Sequence, residues 1–360
     1  LKGQLELTSS ERPLGIEDMK DALEQTESLW RAQAGSRFFV TGGTGFFGKW
    51  LQETFAYANS QLNLNAEMVV LTRDPQAAAQ AMPHLSQRQI SYVNGDVTNI
   101  TEQDGEFSHL IHAATEVNQL WKPELAAEQL EVSCRGTESV LSLARENPES
   151  RLLFVSSGAV YGTQNQSASG VGFQETDALN VEQSASKSAY AEAKRLAELL
   201  VLNSSQTHGH HVNIARCFAF IGPHLQLDGT FAAGQFIRQA VSGEPIQING
   251  SGLDQRSYLY ASELAVWLWT ILFKGENSGI YNVGSPTVVT ILDVAREVAA
   301  AFGAPTPLLP KNPAAKSGRY LPDVTKAGTL GLRARFDLRE SAQRTAKWWK
   351  SGGTLSKDRL

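Results

Sequence analysis

The sequence predicts an α/β protein, a doubly wound parallel sheet joined to a smaller α/β lobe. Three observations predict it. From Arg37 onward, short apolar runs alternate with helical stretches, the pattern of a parallel sheet covered on both faces. The first run, Phe38-Phe39-Val40, passes straight into a turn carrying Gly42, Gly45 and Gly48. After Gly222-Pro223 the alternation changes character, with shorter strands and a Trp-rich helix.

Residues 1–36 stand ahead of the first strand as an N-terminal extension. There Ile16, Met19, Leu23 and Trp30 recur at helical spacing, which predicts an amphipathic helix over Ile16–Ala32. Residues 37–222 form the sheet domain. Its strands are expected at Phe38–Val40, Met68–Leu71, Ile90–Val93, Leu110–His112, Leu152–Ser156 and Val212–Arg216. Helices are expected between them at Gly48–Ala58, Glu124–Arg145 and Ala189–Asn203.

Residues 223–360 are assigned mainly to the second lobe, with segments returning to the sheet domain. Helices are expected at Phe231–Ser242, Ala261–Phe273 and Ile291–Phe302, and strands at Pro245–Asn249, Ser257–Tyr260 and Ile280–Val283. A Pro-rich connector through Pro305, Pro307, Pro310 and Pro313 leads to a last helix around Ser341–Trp349. No internal repeat is visible.

The composition bounds the function. The 360 residues are 42% apolar and 19% charged, with a net charge of −5 and no long run of either sign. That argues against nucleic-acid binding, which needs a basic face. The most apolar run, Leu264 to Phe273, is about half the length a membrane span requires. No basic n-region and apolar h-region open the chain, so secretion has no support. Beginning at Leu1, the chain reads as part of a longer gene product or one trimmed at its start. The two cysteines, Cys134 and Cys217, lack metal-ligand spacing and fit a reduced cytoplasm.

The glycines point to a dinucleotide. Gly42 permits a tight strand-to-helix turn, Gly45 a close approach of backbone to a pyrophosphate, and Gly48 close packing of the helix on the sheet. The helix that follows aims its N-terminal N–H groups at the anion. At the end of the second strand, Thr72 stands where an acid would meet the ribose of NAD, and Arg73 follows it. An arginine there suits a 2′-phosphate, which tilts the cofactor toward NADP(H). Asp74 lies one step further on. Asp96 closes the third strand and either meets the adenine amino group or caps an Asx turn.

Tyr190 and Lys194 are four residues apart, on one face of a helix. A phenol titrates near pH ~10, and neutral-pH catalysis needs roughly three units less, about 4 kcal/mol. A cation ~4 Å away supplies about that much at an effective dielectric of about 20. Ser157 follows the strand Leu152–Ser156 at its carboxyl edge, where open α/β sheets bind ligands. Ser156 reads as its structural neighbour.

In these motifs the chain resembles the extended short-chain dehydrogenase/reductases, in the nucleotide-sugar epimerase, dehydratase, decarboxylase and reductase branch. The resemblance runs from about Arg37 to Trp349. It rests on Thr41 through Gly48, His112-Ala113-Ala114, Ser157 four residues before Tyr161, and Tyr190 with Lys194. "GEPIQINGSGLDQRSYLY" resembles the family's nucleotide-side segment, and the stretch from Arg319 to Trp349 its C-terminal signature.

The resemblance implies a Rossmann domain with a substrate lobe, and hydride transfer at a sugar carbon, usually C4. By position Tyr190 is the acid/base, Lys194 anchors the nicotinamide ribose and lowers the Tyr190 pKa, and Ser157 polarises the reacting oxygen. Thr44, Phe46, Phe47, Val97, Ala113 and Ala114 fall on the cofactor side. Arg256 falls on the side of the sugar-nucleotide phosphates, and Arg319 on the substrate side. It also implies a homodimer built through the Tyr190 helix and the one before it.

Departures from the pattern narrow the expected reaction. The 4,6-dehydratases carry an acidic pair after the serine or threonine, and glucuronate decarboxylases keep a glutamate at the second position. Here Gly158 and Ala159 stand there, which favours epimerisation or ketone reduction. Glu116 is the one candidate for a substitute acid. Ser133 and Ala219 replace two familiar asparagines. The alternatives kept open are a 4,6-dehydratase with relocated acids and a non-catalytic NADP-binding sensor.

Other features are read as incidental. His208-Gly209-His210-His211 is expected to be a solvated loop rather than a metal site. Of Trp267 and Trp269, one is expected in the core and one toward the lobe or a partner. His224 either reaches phosphate or sits on an exposed loop.

Overall fold

The computed structural model describes residues 12–86, 88–101, 105–115, 125–162, 172–177, 179, 185–229, 231–310 and 318–351, with side chains from 189 onward in the segment that starts at 185. The first half runs α1 (Ile16–Arg31), β1 (Arg37–Thr41), α2 (Phe46–Leu62), β2 (Glu67–Thr72), α3 (Pro75–Ala81), β3 (Ile90–Asn94), β4 (His109–His112), α4 (Ala126–Glu146), β5 (Arg151–Ser157), α5 (Ala185–His208) and β6 (His211–Cys217). The second half runs β7 (Phe220–Ile221), α6 (Ala232–Val241), β8 (Gln255–Arg256), β9 (Leu259–Tyr260), α7 (Ala261–Lys274), β10 (Gly279–Val283), β11 (Val289–Thr290), α8 (Ile291–Phe302), β12 (Arg319–Tyr320), α9 (Thr325–Thr329) and α10 (Leu338–Ser351).

Seven strands form one parallel sheet in the order β3-β2-β1-β4-β5-β6-β10. The strand order reverses between β1 and β4, which opens a crevice at their carboxyl ends. The strands are apolar on both faces because helices cover both: Phe38, Val40, Leu110 and Leu153 are all buried. Every strand expected before residue 217 is present, within a residue or two. β10 lies beside β6, and α7 packs against β5 and β6, so part of the chain after residue 223 builds this sheet.

α1 belongs to the same core. Trp30, 1% exposed, meets Trp269 and Phe273 edge-on at 4.7 and 5.1 Å. Asp18 on α1 accepts hydrogen bonds from Tyr260 (2.8 Å) and from Arg344 of α10 (2.7 Å). The extension therefore clamps α7 and α10 together. Trp267 and Trp269 are both fully buried, which corrects the expectation that one faces outward. α7 is wrapped on all sides, so its apolar character is continuous rather than striped.

The smaller lobe packs α6, α8 and α10 around Phe236, Ile237, Val294 and Trp348, beside the three-stranded sheet β11-β8-β12. The strand expected at Pro245–Asn249 is instead a single bridge between Gln247 and Leu308. Ile248 N–H donates to the Leu308 carbonyl and Leu308 N–H to the Ile246 carbonyl. The short proline-flanked segment finds one rung of pairing and no more. Among the described residues no helix is long and apolar enough to cross a membrane.

Candidate cofactor cavity and the Ser157, Tyr190 and Lys194 site

A cavity of about 820 Å³ opens at the carboxyl ends of β1 to β4 and reaches α5. Its floor is the glycine turn. Gly42 has φ +74°, and a Cβ there would lie 2.5 Å from the Ala113 carbonyl. A side chain at 42 is excluded by both conformation and space. A Cβ on Gly48 would fall 2.2 Å from Gly43, and one on Gly43 2.4 Å from Val70 of β2. Gly48 thus packs on the sheet through Gly43, a residue the motif reading passed over. α2 begins at Phe46 with Gly45 as its N-cap, no side chain capping it and no acid in its first turn. Its positive end faces the cavity, which suits an anion such as a pyrophosphate.

Thr44, Phe46, Phe47, Val97, Ala113 and Ala114 all lie on the wall. Arg73 is exposed on the rim beside Thr72. Asp74 also lines the cavity, and its carboxylate caps α3, accepting from Ala77 N–H at 2.9 Å. Asp96 lines the cavity and also closes an Asx turn, accepting from Thr98 N–H (2.9 Å) and Thr98 Oγ1 (2.7 Å), which hold its carboxyl below the usual range. Lys49 is a wall residue the sequence reading missed, its amine pushed down by burial. Its only signal was its place one residue after the last glycine.

At the back of the cavity the β4 edge is stiffened by side chains. Thr41 Oγ1 and His112 Nδ1 are 2.8 Å apart, and Ala114 N–H donates to Thr41 Oγ1. Burial, with Lys194 nearby, pushes His112 down to about 3, so the ring is neutral.

Tyr190 and Lys194 both reach the cavity from α5. Lys194 is 4% exposed; its Nζ donates to Thr115 Oγ1 (2.7 Å) and to the Val155 carbonyl (2.9 Å). Burial pulls its amine down to about 8. Burial pushes the Tyr190 phenol up to about 12; a Ser157 hydrogen bond opposes that rise and Cys217 adds to it. The expectation that Lys194 lowers the Tyr190 pKa is corrected here. The amine is turned to β5 and Thr115, and burial sets the direction of the Tyr190 shift.

Ser157 accepts from Ala159 N–H at 3.1 Å where β5 breaks into a 3-10 turn over Gly158–Tyr161. Ser156 is structural. It donates to Glu198 at 2.5 Å, and Glu198 pairs with buried Arg216 at 2.8 Å. Arg256 donates to the Gln255 and Gly318 carbonyls, and Arg319 sits beside Gln255 on β12. Ser157, Arg256 and Arg319 are not among the described residues of the cavity wall. Glu116 lies outside the described residues. Ser133 Oγ reaches the Ala193 carbonyl of α5 at 3.4 Å.

Two residues that the sequence did not flag stand beside Ser157. A Cβ on Gly158 would lie 2.6 Å from the Tyr320 hydroxyl and 2.8 Å from the Phe218 ring. The space where a larger side chain would stand is already filled.

The discounted histidines fare differently from the expectation. His210 is buried with Nδ1 2.8 Å from Ser204 Oγ, and His211 begins β6 with Nε2 3.1 Å from the Gly275 carbonyl. They pin a strand entry rather than a solvated loop. Among the described residues no group of three or more His, Cys, Asp or Glu could hold a metal. His224 is buried edge-on to Trp348, not exposed.

Sheet order, glycine turn and cavity define the class: a Rossmann-like α/β protein of the kind that seats a dinucleotide at its switch point. Residues 38–284 match the NAD dependent epimerase/dehydratase family, and the chain belongs to it. It is similar to UDP-glucuronic acid decarboxylase 2 of Arabidopsis thaliana, 28% identical over 312 residues covering 85% of this chain and 66% of that one. That is just under two thirds of the relative's length. A dTDP-glucose 4,6-dehydratase of Streptomyces niveus is 24% identical, with 87% and 93% covered. Among solved structures, an epimerase from Methanothermobacter thermautotrophicus superposes with a TM-score of 0.76 at 20% identity, covering 92% and 97%. UDP-glucose 4-epimerase of Thermotoga maritima, solved with UDP-glucose, gives 0.74 at 17% identity, covering 88% and 99%. These likenesses share the fold.

Proposed function

We propose that this chain acts on a nucleotide-diphosphate sugar at C4, as an epimerase or 4-ketoreductase using NAD(P), with NADP(H) preferred. One observation carries the reading: Gly158 and Ala159 bring no carboxylate next to Ser157, and Tyr320 and Phe218 occupy the room for one. Dehydration needs an acid at the departing hydroxyl and a base at C5. Hydride transfer at C4 needs only one group that takes and returns the proton of the C4 oxygen.

The turn at Gly42 and Gly45 fits a pyrophosphate, and the bound nicotinamide supplies hydride uptake and return. Lys194 holds the nicotinamide ribose, Tyr190 exchanges the proton of the C4 oxygen, and Ser157 polarises that oxygen through the Tyr190 hydroxyl. Arg73 meets a 2′-phosphate and Asp96 the adenine edge. Arg256 meets the sugar-nucleotide phosphates, Arg319 is a substrate-binding residue, and Glu116 remains the candidate substitute acid. Leu196 and Leu199, exposed at 40% and 63% on α5, support a homodimer through α4 and α5. The two free cysteines support a reducing, cytoplasmic setting.

A second reading, decarboxylation, is favoured by the UDP-glucuronic acid decarboxylases among the relatives. A C4 ketone is itself the electron sink for carbon dioxide leaving C5, so this reaction too can proceed with phenols and a serine. Mass spectrometry separates the outcomes. Purified protein given NAD(P) and UDP- or dTDP-hexoses should yield the C4 epimer, resolved by chromatography at unchanged mass, or a product gaining two hydrogens from a supplied 4-keto sugar. Loss of water overturns the proposal, and loss of carbon dioxide from UDP-glucuronate establishes the second reading.

A further inference from the structure

Ser157 has a second phenol beside it. Tyr320 ends β12, whose parallel pairing with β8 sets Tyr320 against Arg256, with the Arg256 guanidinium 6.0 Å over its ring. The following segment is pinned to the sheet domain: Phe173 N–H donates to the Leu321 carbonyl and Asp323 N–H to the Phe173 carbonyl. Phe173 is itself stacked on buried Tyr161 at 4.6 Å. Phe218 closes the other side, 4.7 Å from the Tyr320 ring. The Tyr320 hydroxyl is thereby held over Gly158, in space that even a methyl group there would invade.

A serine hydroxyl has one proton and two lone pairs. At Ser157 one lone pair is taken by Ala159 N–H. The remaining lone pair and the proton face two phenols, Tyr190 and Tyr320, and each feels a Ser157 hydrogen bond. One proton cannot serve both. Tyr190 lines the cavity, whereas Tyr320 is not among its described wall residues. The consistent arrangement has Tyr320 donating to Ser157 and Ser157 donating to Tyr190, which leaves the Tyr190 proton for a ligand.

We propose that Tyr320 is a positioning residue: its hydroxyl fixes the Ser157 proton toward Tyr190 and so supports the Tyr190 phenolate through the serine. The inference deepens the proposed function and rests on Tyr190 being the acid/base of that site. It also accounts for Gly158, since any larger residue would displace the hydroxyl.

The test reads the phenol directly and needs no sugar substrate. The protein is saturated with NAD+, whose positive ring draws the Tyr190 titration downward. Tyrosinate absorbance is followed against pH, and the difference from Tyr190→Phe isolates Tyr190 among the eight tyrosines. Tyr320→Phe should raise the Tyr190 midpoint by about one unit, a tenfold weaker acid. Gly158→Ala, a gentler change, should raise it too. Ser157→Ala should also raise it, and adding Tyr320→Phe to that variant should shift it no further. An unmoved midpoint in both Tyr320→Phe and Gly158→Ala overturns the proposal. So does an equal Tyr320→Phe shift without the serine, because the phenol would then act independently of it. Failure of the sugar reaction alone would leave this titration unaffected, so the two readings fail separately.

Discussion

Lys194 Nζ stands 2.7 Å from Thr115 Oγ1 and 2.9 Å from the Val155 carbonyl, so the buried amine bridges the ends of β4 and β5. Burial holds it near 8, and it carries its charge below that pH. A charged donor is worth roughly 1.5–3 kcal/mol, about ten- to a hundredfold in affinity. Isothermal titration should therefore show NADH affinity falling as pH rises through about 8. Lys194→Met should bind at least tenfold more weakly at pH 7 and lack that dependence. Equal affinity in the variant would remove Lys194 from the cofactor site.

Cofactor choice turns on the end of β2. Arg73 is exposed on the cavity rim there, beside Asp74, one of whose oxygens caps α3. NADPH should bind more tightly than NADH, by about tenfold for one charge-assisted contact. Arg73→Ala should erase most of that difference. Tighter binding of NADH by the native protein refutes the assignment.

The N-terminal helix is expected to be part of the folding unit. Trp30→Ala opens a cavity among Phe38, Phe55, Trp269 and Phe273, at a cost of about 3–5 kcal/mol. Urea unfolding should show that loss in a single transition. A loss below about 1 kcal/mol would mean that α1 docks without supporting the core.

Glu263, 1% exposed, is pushed up to about 7 by burial, against hydrogen bonds from the Arg335, Phe336 and Tyr260 backbone that pull it down. Its folded pKa lies above the unfolded value near 4.5. It therefore contributes stability that is full below about 4.5 and lost as pH rises through 7. Glu263→Gln removes that loss. Relative to the native protein, the variant should gain stability between pH 4.5 and 8, by up to roughly 3 kcal/mol. Parallel pH profiles of the two proteins would contradict the assignment.

What the sequence determined by itself was local. Alternating apolar runs dictated a parallel sheet, because only burial on both faces favours continuous runs such as Leu152–Val155. The glycine turn and the four-residue step from Tyr190 to Lys194 were legible because backbone conformation and helical phase are short-range properties. Tertiary structure decided the rest. Trp267 and Trp269 look alike in sequence whether α7 is half-covered or wrapped, and only α1 and α2 packing against it settles that both are buried. Lys194 was expected to act on Tyr190 because spacing brings their side chains to one face. Which way the amine then turns depends on the Val155 carbonyl and Thr115, which are 39 and 79 residues away. Gly158 carried no visible meaning until Tyr320 arrived beside it from the far end of the chain, because a filled space is a property of packing, not of either residue alone.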